Sequence, residues 1–531
     1  MTTPTEPSPW SYESEAVGYQ PAGQPVLDAY EPAAVPAGRR RRTPVLIAVA
    51  VVVALILGGA AYAGARLWYG SGAQPEDAAP STVVAFARLD LSPGLGQKLE
   101  VNNLLGKFPR DGRTDSVDEL KARIFEAFDI SAEAYRAHVQ PWFAERIGVG
   151  AWLDGNDRPY GLIVLGSRDD AKARAGLAQL KGEHEAGRFA FVVRGGHAFV
   201  AAGERDAEAA VQAAVTDADR ETLAESAAFR RGADWLGGAQ TGIAWADFDR
   251  VRDAMDAVTE RIIGGGEGRP LLPGMFGRPL GSDLKGQLIL GLRATGNGAE
   301  IRFRGFGMGA AAQGFEARSR VDALPGDSAI AGAFRAGDLA AGLPEGMFTA
   351  PDLDEVIPDE LRKKLSPDEL AEMLREMREA GRRTAAVGTA VSALTGSTVS
   401  VAVSGLDGDR PELFAAAEVT SADKATALTG ALTVFGDDVT VTATGTRVEL
   451  TTKGYQAGGG TLGGQPLYRE ALAGAPDGAA VVAYVDIQRL VAAGASVSDK
   501  DRRELAPLKA IGMAIGVEDA DAVGLIRIVV H

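Results

Sequence analysis

Apolar side chains alternate with polar or small ones along many short runs of the chain, which is typical of β-strands. The first run is Thr82–Leu89, which ends at Asp90, and two later runs, Gly148–Leu153 and Gly161–Gly166, are joined by a turn-rich segment. Between such runs, apolar positions recur every three or four residues and predict helices, as in Asp118–Phe128. Strand pairs joined by short turns predict a mainly antiparallel sheet with helices packed on one face, hence an α+β fold.

The order of these elements occurs twice along the chain. Several markers recur with their order and spacing kept. They are Leu153–Pro159 with Leu406–Pro411, Phe229–Val251 with Tyr468–Leu490, and 287–306 with 510–530. We therefore predict a duplicated sheet-plus-helix domain, with the first repeat over 80–310 and the second over 322–531.

A different pattern precedes the first strand. Pro44–Ala65 is an apolar run of 22 residues without a charged side chain, and at about 1.5 Å per residue it can cross a bilayer. Arg39–Arg42 stand directly before it, and an excess of Lys and Arg marks the cytoplasmic flank. We predict a transmembrane signal anchor over 44–68 and a linker over 69–79. The alternative is a cleaved secretory signal ending at the small-x-small site Ala61–Ala63.

The segment before the span is rich in proline and has no long apolar run. Residues 1–38 hold seven prolines, and such a composition cannot bury enough apolar surface to fold. We predict a disordered cytoplasmic tail over 1–43. The predicted location is the cell membrane, with a single pass, a cytoplasmic N-terminus and an extracytoplasmic C-terminal domain.

Composition narrows the classes of function. The formal net charge is −16, and an acidic surface repels phosphate backbones, so we expect no nucleic-acid partner. The chain has no cysteine, which excludes cysteine nucleophiles and cysteine-ligated metals. A hydrophobic content of 46% with 24% charged residues is that of a folded protein.

Acidic residues end several of the apolar strands. Carboxylates gathered at strand ends can bind a metal or act as acid and base. An aspartate followed by a helix or turn, however, also accepts hydrogen bonds from free backbone N–H groups, and we predict this capping role. The residues are Asp90, Asp247, Asp338 and Asp486.

Histidines and glycine-rich segments add no catalytic pattern. No two histidines lie three or four positions apart, and HExxH is absent. One of them, in a Gly-Gly-His turn, is predicted to be solvated. The glycine-rich segments 264–268 and 458–464 lack a following Lys-Ser/Thr and are predicted to be surface loops. We assign no catalytic, cofactor-binding or metal-binding residue and no cofactor. The histidines are His138, His184, His197 (the one in the turn) and His531.

Together with the arginine-flanked span, several short motifs resemble an uncharacterised family of actinobacterial single-span membrane proteins. The resemblance implies the topology described above and lends no catalytic residue. The motifs are Ala79-Pro80, Phe86, Leu89-Asp90-Leu91, Pro93-Gly94, Gly106-Lys107-Phe108-Pro109 and Ile147-Gly148-Val149-Gly150.

The predicted function is binding of a ligand or protein partner at the cell envelope by a membrane-anchored protein that is not an enzyme. Its partners would be the bilayer, through one helix, and an envelope ligand or protein. The alternative is an envelope hydrolase with a site between the repeats. Paired carboxylates in a polar cleft would favour the hydrolase, and a large apolar groove would favour a lipid or peptide binder.

Overall fold

A computed structural model describes most of the chain after the predicted span, with gaps. The predicted tail and span, the first part of the linker (69–73) and the loop 264–268 lie outside the described residues. Among the described residues, no helix is long and apolar enough to cross a membrane. The described residues are 74–91, 100, 104, 117–126, 128, 130–153, 159–183, 189–202, 206–253, 285–308, 316–337, 366–406, 411–434, 438–456, 458, 460–493, 498, 502–503 and 505–531.

The described residues form one sheet of 16 strands, in which every neighbouring pair of strands is antiparallel. The α+β class with an antiparallel sheet is therefore confirmed. The strands are β1 Ala85–Asp90, β2 Phe143–Leu153, β3 Pro159–Ser167, β4 Phe189–Arg194, β5 His197–Ala202, β6 Gly242–Asp247, β7 Gln287–Thr295, β8 Gly298–Phe306, β9 Ile330–Arg335, β10 Thr398–Ser404, β11 Glu412–Glu418, β12 Val439–Thr444, β13 Arg447–Thr452, β14 Val481–Asp486, β15 Leu508–Glu518 and β16 Asp521–Val530.

The two halves of the sheet have the same strand order. From its outer edge inward, the first half runs β4-β5-β3-β2-β1-β6-β7-β8, and the second half runs β12-β13-β11-β10-β9-β14-β15-β16. The last strands of the two halves, β8 and β16, pair with each other. The sheet is therefore continuous, with β4 and β12 at its two edges.

Helices connect the strands, and a further helical turn covers 248–253. The helices are α1 Val117–Glu126, α2 Ala132–Ala134, α3 Asp170–Glu183, α4 Ala207–Arg220, α5 Ala227–Leu236, α6 Ala317–Asp322, α7 Pro367–Leu394, α8 Ala422–Thr433, α9 Pro466–Ala471 and α10 Ile487–Ala492.

Helices lie on both faces of the sheet, so the expectation of helices on one face was wrong. Along β5, Phe199 packs in one apolar cluster with α4, whereas Val200 packs in another with α3. Successive side chains of a strand point to opposite faces. We call the Phe199 side face A and the Val200 side face B. The physical reason is that apolar side chains occupy both faces of the strands, and each face needs its own cover.

Each half has its own core on face A. In the first half, Trp152 and Phe199 pack with α4 and α5. In the second half, Tyr484 packs with α6 and α9.

On face B, α3 packs on β4 and β5 and α8 packs on β12 and β13, toward the two edges. Smaller buried clusters lie nearer the middle, where Val251 packs with Leu290 beside β1, β2 and β6, and where Leu104 packs with Ile528 at one end of β8 and β16.

The same end-of-strand device occurs in both halves. Asp247 accepts a hydrogen bond from the backbone N–H of Arg250 at 3.1 Å, and Asp486 accepts one from that of Arg489 at 3.0 Å. The two aspartates therefore have the predicted capping role. Each following arginine then donates to a carbonyl oxygen just before the first strand of its own half, Ser81 for Arg250 and Gly326 for Arg489.

Removal of one of these caps should weaken the fold measurably. For Asp486→Ala we expect the free energy of unfolding to fall by about 1–2 kcal/mol, because a backbone N–H loses its acceptor. Asp247→Ala should have a similar effect, and Asp477→Ala, at an exposed position, should have almost none. Denaturant unfolding of the full chain measures all three. Equal stability of Asp486→Ala and Asp477→Ala would contradict the capping role.

Candidate binding surface at the seam between the two halves

The two halves meet where β8 pairs with β16, from Gly305 opposite Ala522 to Gly298 opposite Val529. We call this pair of strands the seam. Because side chains alternate between the faces, the seam presents one set of residues on face A and another on face B. The two sets differ strongly in polarity.

On face A, charged side chains link the two halves. Arg304 and Arg527 occupy equivalent positions, since each lies two strands away from a core aromatic residue, Trp245 or Tyr484. Each arginine pairs with a carboxylate from the other half. Arg304 Nε lies 2.9 Å from Asp521 Oδ2, and Arg527 Nη2 donates to Glu300.

Glu300 is the most buried charged group at the seam. Its side chain is 2% exposed. One oxygen accepts from Arg293 at 2.5 Å and the other from Arg527. A carboxylate buried in this way is tolerated because two guanidinium groups compensate its charge. Glu300 therefore helps to fix the pairing of the two halves.

Aromatic rings extend this face A cluster toward α5. The guanidinium carbons of Arg302 and Arg304 lie 4.9 and 5.8 Å from the centre of the Trp235 ring. Arg304 and Arg231 lie near the Phe306 ring in the same way, at 5.4 and 4.1 Å. The guanidinium groups lie near the aromatic rings as cation–π contacts, so face A of the seam is polar and packed.

On face B, the six central strands β7, β8, β16, β15, β14 and β9 place apolar side chains and glycines, apart from Lys509 at a β-bulge near the start of β15. Most of the large ones are half-buried, but Ile330 and Phe334 are 38% and 36% exposed. We call this set the central apolar surface. Its large members are Leu288, Leu290, Leu292, Ile301, Phe303, Ile526, Ile528, Ile511, Met513, Ile515, Val517, Val481, Val485, Ile330 and Phe334.

One row of this surface crosses the seam. Ile301 on β8 lies opposite Ile526 on β16, which lies opposite Met513 on β15. Beside this row, the Phe303 ring lies over Gly524, where an added Cβ would come within 2.0 Å of the ring. Glycine at this position lets the ring lie flat across the seam.

Strand β15 shows why the larger side chains are on face B. Its face A positions are small and buried, and Gly512 is packed so closely that a Cβ there would lie 2.3 Å from the carbonyl oxygen of Ala471 in α9. The strand therefore buries its small residues under α9, and its large ones, Ile511, Met513 and Ile515, stay half-exposed on the other face. This is the reverse of an ordinary one-sided sheet, in which the large apolar side chains are covered.

The other residues weighed from the sequence do not gather into a site. Asp90 is buried in an ion pair with Arg146, Nε to Oδ2 3.3 Å, so its environment differs from that of the two capping aspartates. His197 is 6% exposed, so the expectation of a solvated histidine was wrong; it begins β5 and is buried with that strand. Asp338 and His184 lie outside the described residues.

Within the described ranges, no group of three or more His, Asp or Glu side chains is placed to hold a metal ion. The carboxylates of Glu300 and Asp521 at the seam are engaged by arginines. The feature that sequence reasoning missed is the central apolar surface. Small and large apolar residues alternate in 511–517, but this alternation alone does not say which of the two sets a helix covers.

No protein-family model, no curated protein and no solved structure matches this chain.

The buried carboxylate of the seam can be tested by truncation. We expect Glu300→Ala to lower the free energy of unfolding by about 3 kcal/mol, because it leaves two partly buried guanidinium groups without their compensating charge. The control is Glu379→Ala, which removes the exposed pair of Glu379 with Arg383 and should cost less than about 1 kcal/mol. Denaturant unfolding of both variants gives the comparison. Equal losses would show that Glu300 does not stabilise the seam.

Proposed function

We propose that the protein is a membrane-anchored, extracytoplasmic binding protein of the cell envelope and that its ligand is the acyl chain of a lipid. In this proposal the span 44–68 crosses the membrane, the tail 1–43 is cytoplasmic, and the two repeats, 80–310 and 322–531, form the binding domain. The observation that carries the proposal is the central apolar surface on face B of the seam.

The chemistry of this surface favours an apolar ligand. Apart from Lys509 at the β-bulge of β15, it contains no charged or hydrogen-bonding side chain, and the backbone groups of its strands are used within the sheet. An occupant therefore gains affinity chiefly by burying apolar surface, at roughly 25 cal/mol per Å². Large exposed apolar patches on folded proteins mark sites of contact with apolar ligands, membranes or proteins.

The dimensions of the surface suit an acyl chain. Six strands at a spacing of about 4.8 Å span about 24 Å. One leaflet of a bilayer core, half of about 30 Å, sets the length of a lipid chain at about 15 Å. One chain can therefore lie across the seam along the row that contains Ile301, Ile526 and Met513.

The short separation along the sequence between the predicted membrane anchor and the sheet supports a lipid source. Ala78 and Ala79, which fall within the predicted linker, are buried in the core of the first half. Beside them, Glu76 Oε1 lies 2.9 Å from Arg88 Nε, with both side chains 9% exposed. Burial raises the pKa of Glu76, and Arg88 opposes this rise. Only residues 69–73 separate the predicted span from the described segment that begins at Gln74. Five fully extended residues reach at most about 18 Å.

The repeated architecture supports the duplication that the proposal includes. The two halves share their strand order, their capping aspartates and the equivalent arginines at the seam. An ancestral half would have exposed the edge of its last strand. Pairing of two such edges gives one sheet with a broad central surface.

The experiment uses a photoactivatable acyl-chain probe in membranes that contain the full chain, followed by mapping of the labelled peptides. We expect label on peptides from β8, β15 and β16, and also on the predicted span, which serves as an internal reference. Ile301→Asp combined with Met513→Asp should reduce the label on the sheet peptides by about tenfold or more. Each substitution replaces a large apolar side chain that would be buried against the acyl chain. Label on the span should not change.

The matched control is Thr216→Asp combined with Thr389→Asp, which adds the same charge at exposed helical positions and should leave both labels as they were. Circular dichroism establishes that each variant is folded. Label confined to the span in the unmodified chain would contradict the proposal, as would equal labelling of the sheet in the two double variants.

A further inference from the structure

Strand β12 is one of the two edge strands of the sheet, and most of its residues are exposed. Among the described strands it pairs only with β13, from Val439 opposite Thr452 to Thr444 opposite Arg447. Thr440 and residues 442–444 are exposed. One row of backbone N–H and C=O groups of this strand therefore points away from the sheet, and no strand among the described residues pairs with it.

The other edge is better protected. Strand β4 contacts α3 on face B and α4 on face A, and Arg194 at its end pairs with Asp219 of α4 at 2.7 Å. The corresponding connection in the second half, from β13 to β14, contains no counterpart of α4 in its described residues. Strand β12 contacts α8 on face B.

Proteins usually block an edge strand with a charge, a proline or a bulge. Residues 439–444 read Val-Thr-Val-Thr-Ala-Thr, which has no charge and no proline. The pairing with β13 runs through six successive residue pairs without a register shift. The edge is therefore regular and has the features of a strand that can pair with another strand.

We propose that β12 pairs with β12 of a second copy of this chain, antiparallel, about a two-fold axis perpendicular to the sheet. In such a pair, residues on the same face lie opposite each other, so threonine meets threonine on face A. On face B valine meets alanine, and Val441 meets its own copy when the pair centres on it. Threonine pairs are favourable neighbours across strands. No like charges meet, which a self-complementary interface requires.

A second observation lies beside the edge. Val434, the C-cap residue of α8, is 40% exposed. It follows the helix that packs on face B of β12, so two-fold pairing brings the α8 helices of the two copies to the same side of the joined sheet. Six paired residues bury less than a standard interface of about 1,600 Å², so the dimer is weak in dilute solution. Attachment to one membrane would raise its effective concentration.

The absence of cysteine from the chain allows a direct test. Two-fold pairing with this side-chain alternation centres on residue 441 or on residue 442, which then lies opposite its own copy. Directly opposed residues have Cα atoms about 4.5–5.5 Å apart, within the range that a disulfide bridges. We expect Val441→Cys or Thr442→Cys in the full chain to form a disulfide-linked dimer on mild oxidation in membranes. The controls, Thr216→Cys and Thr389→Cys, should remain monomeric.

Charge variants distinguish specific pairing from random collision. In the Val441→Cys chain, Thr440→Lys with Thr442→Lys puts lysine opposite lysine when the pair centres on residue 441. In the Thr442→Cys chain, Thr440→Lys with Thr444→Lys does so when the pair centres on residue 442. Each variant should reduce its dimer at least tenfold. The same positions changed to Glu should have the same effect. Co-expression of the Lys and Glu chains should restore the dimer, which a misfolded variant could not do. Equal cross-linking of edge and control positions, or no effect of the lysines, would overturn the proposal.

Discussion

The pairing of β8 with β16 is the interaction on which the rest of the structure depends. It joins two halves with the same strand order into one sheet. Reciprocal ion pairs on face A, Arg304 with Asp521 and Arg527 with Glu300, fix its register. Burial of Glu300 makes other registers unfavourable, because a shift by one residue would move its charge to the apolar face. The central apolar surface exists only because this pairing holds.

The two faces of the seam divide structural and binding roles. On face A, the charged side chains and aromatic rings contact each other, so few of their groups are available to bind a ligand. On face B, large side chains remain half-exposed because close contact with α9 requires small residues such as Gly512 beneath it. A sheet with cover near both edges and an apolar centre can bind a ligand without an enclosed pocket.

Much of the fold could be predicted from local pattern. The predicted strand Thr82–Leu89 overlaps β1, and the strand alternation and the repeated markers agree with the observed order of elements. The apolar surface could not be predicted, because alternation does not say which face a helix will cover. That choice depends on tertiary contacts, such as the approach of α9 to β15. The burial of His197 likewise follows from its place in β5 between covered faces, which a local turn motif cannot reveal.

An acyl chain on face B across the seam is the central expectation for this molecule. An experimental structure of the full chain, purified in its native lipids, tests this claim most directly. The account predicts elongated density, with no connection to protein, along the row of Ile301, Ile526 and Met513. A central surface occupied by side chains of the protein itself, or bare to solvent in the presence of abundant lipid, would contradict it.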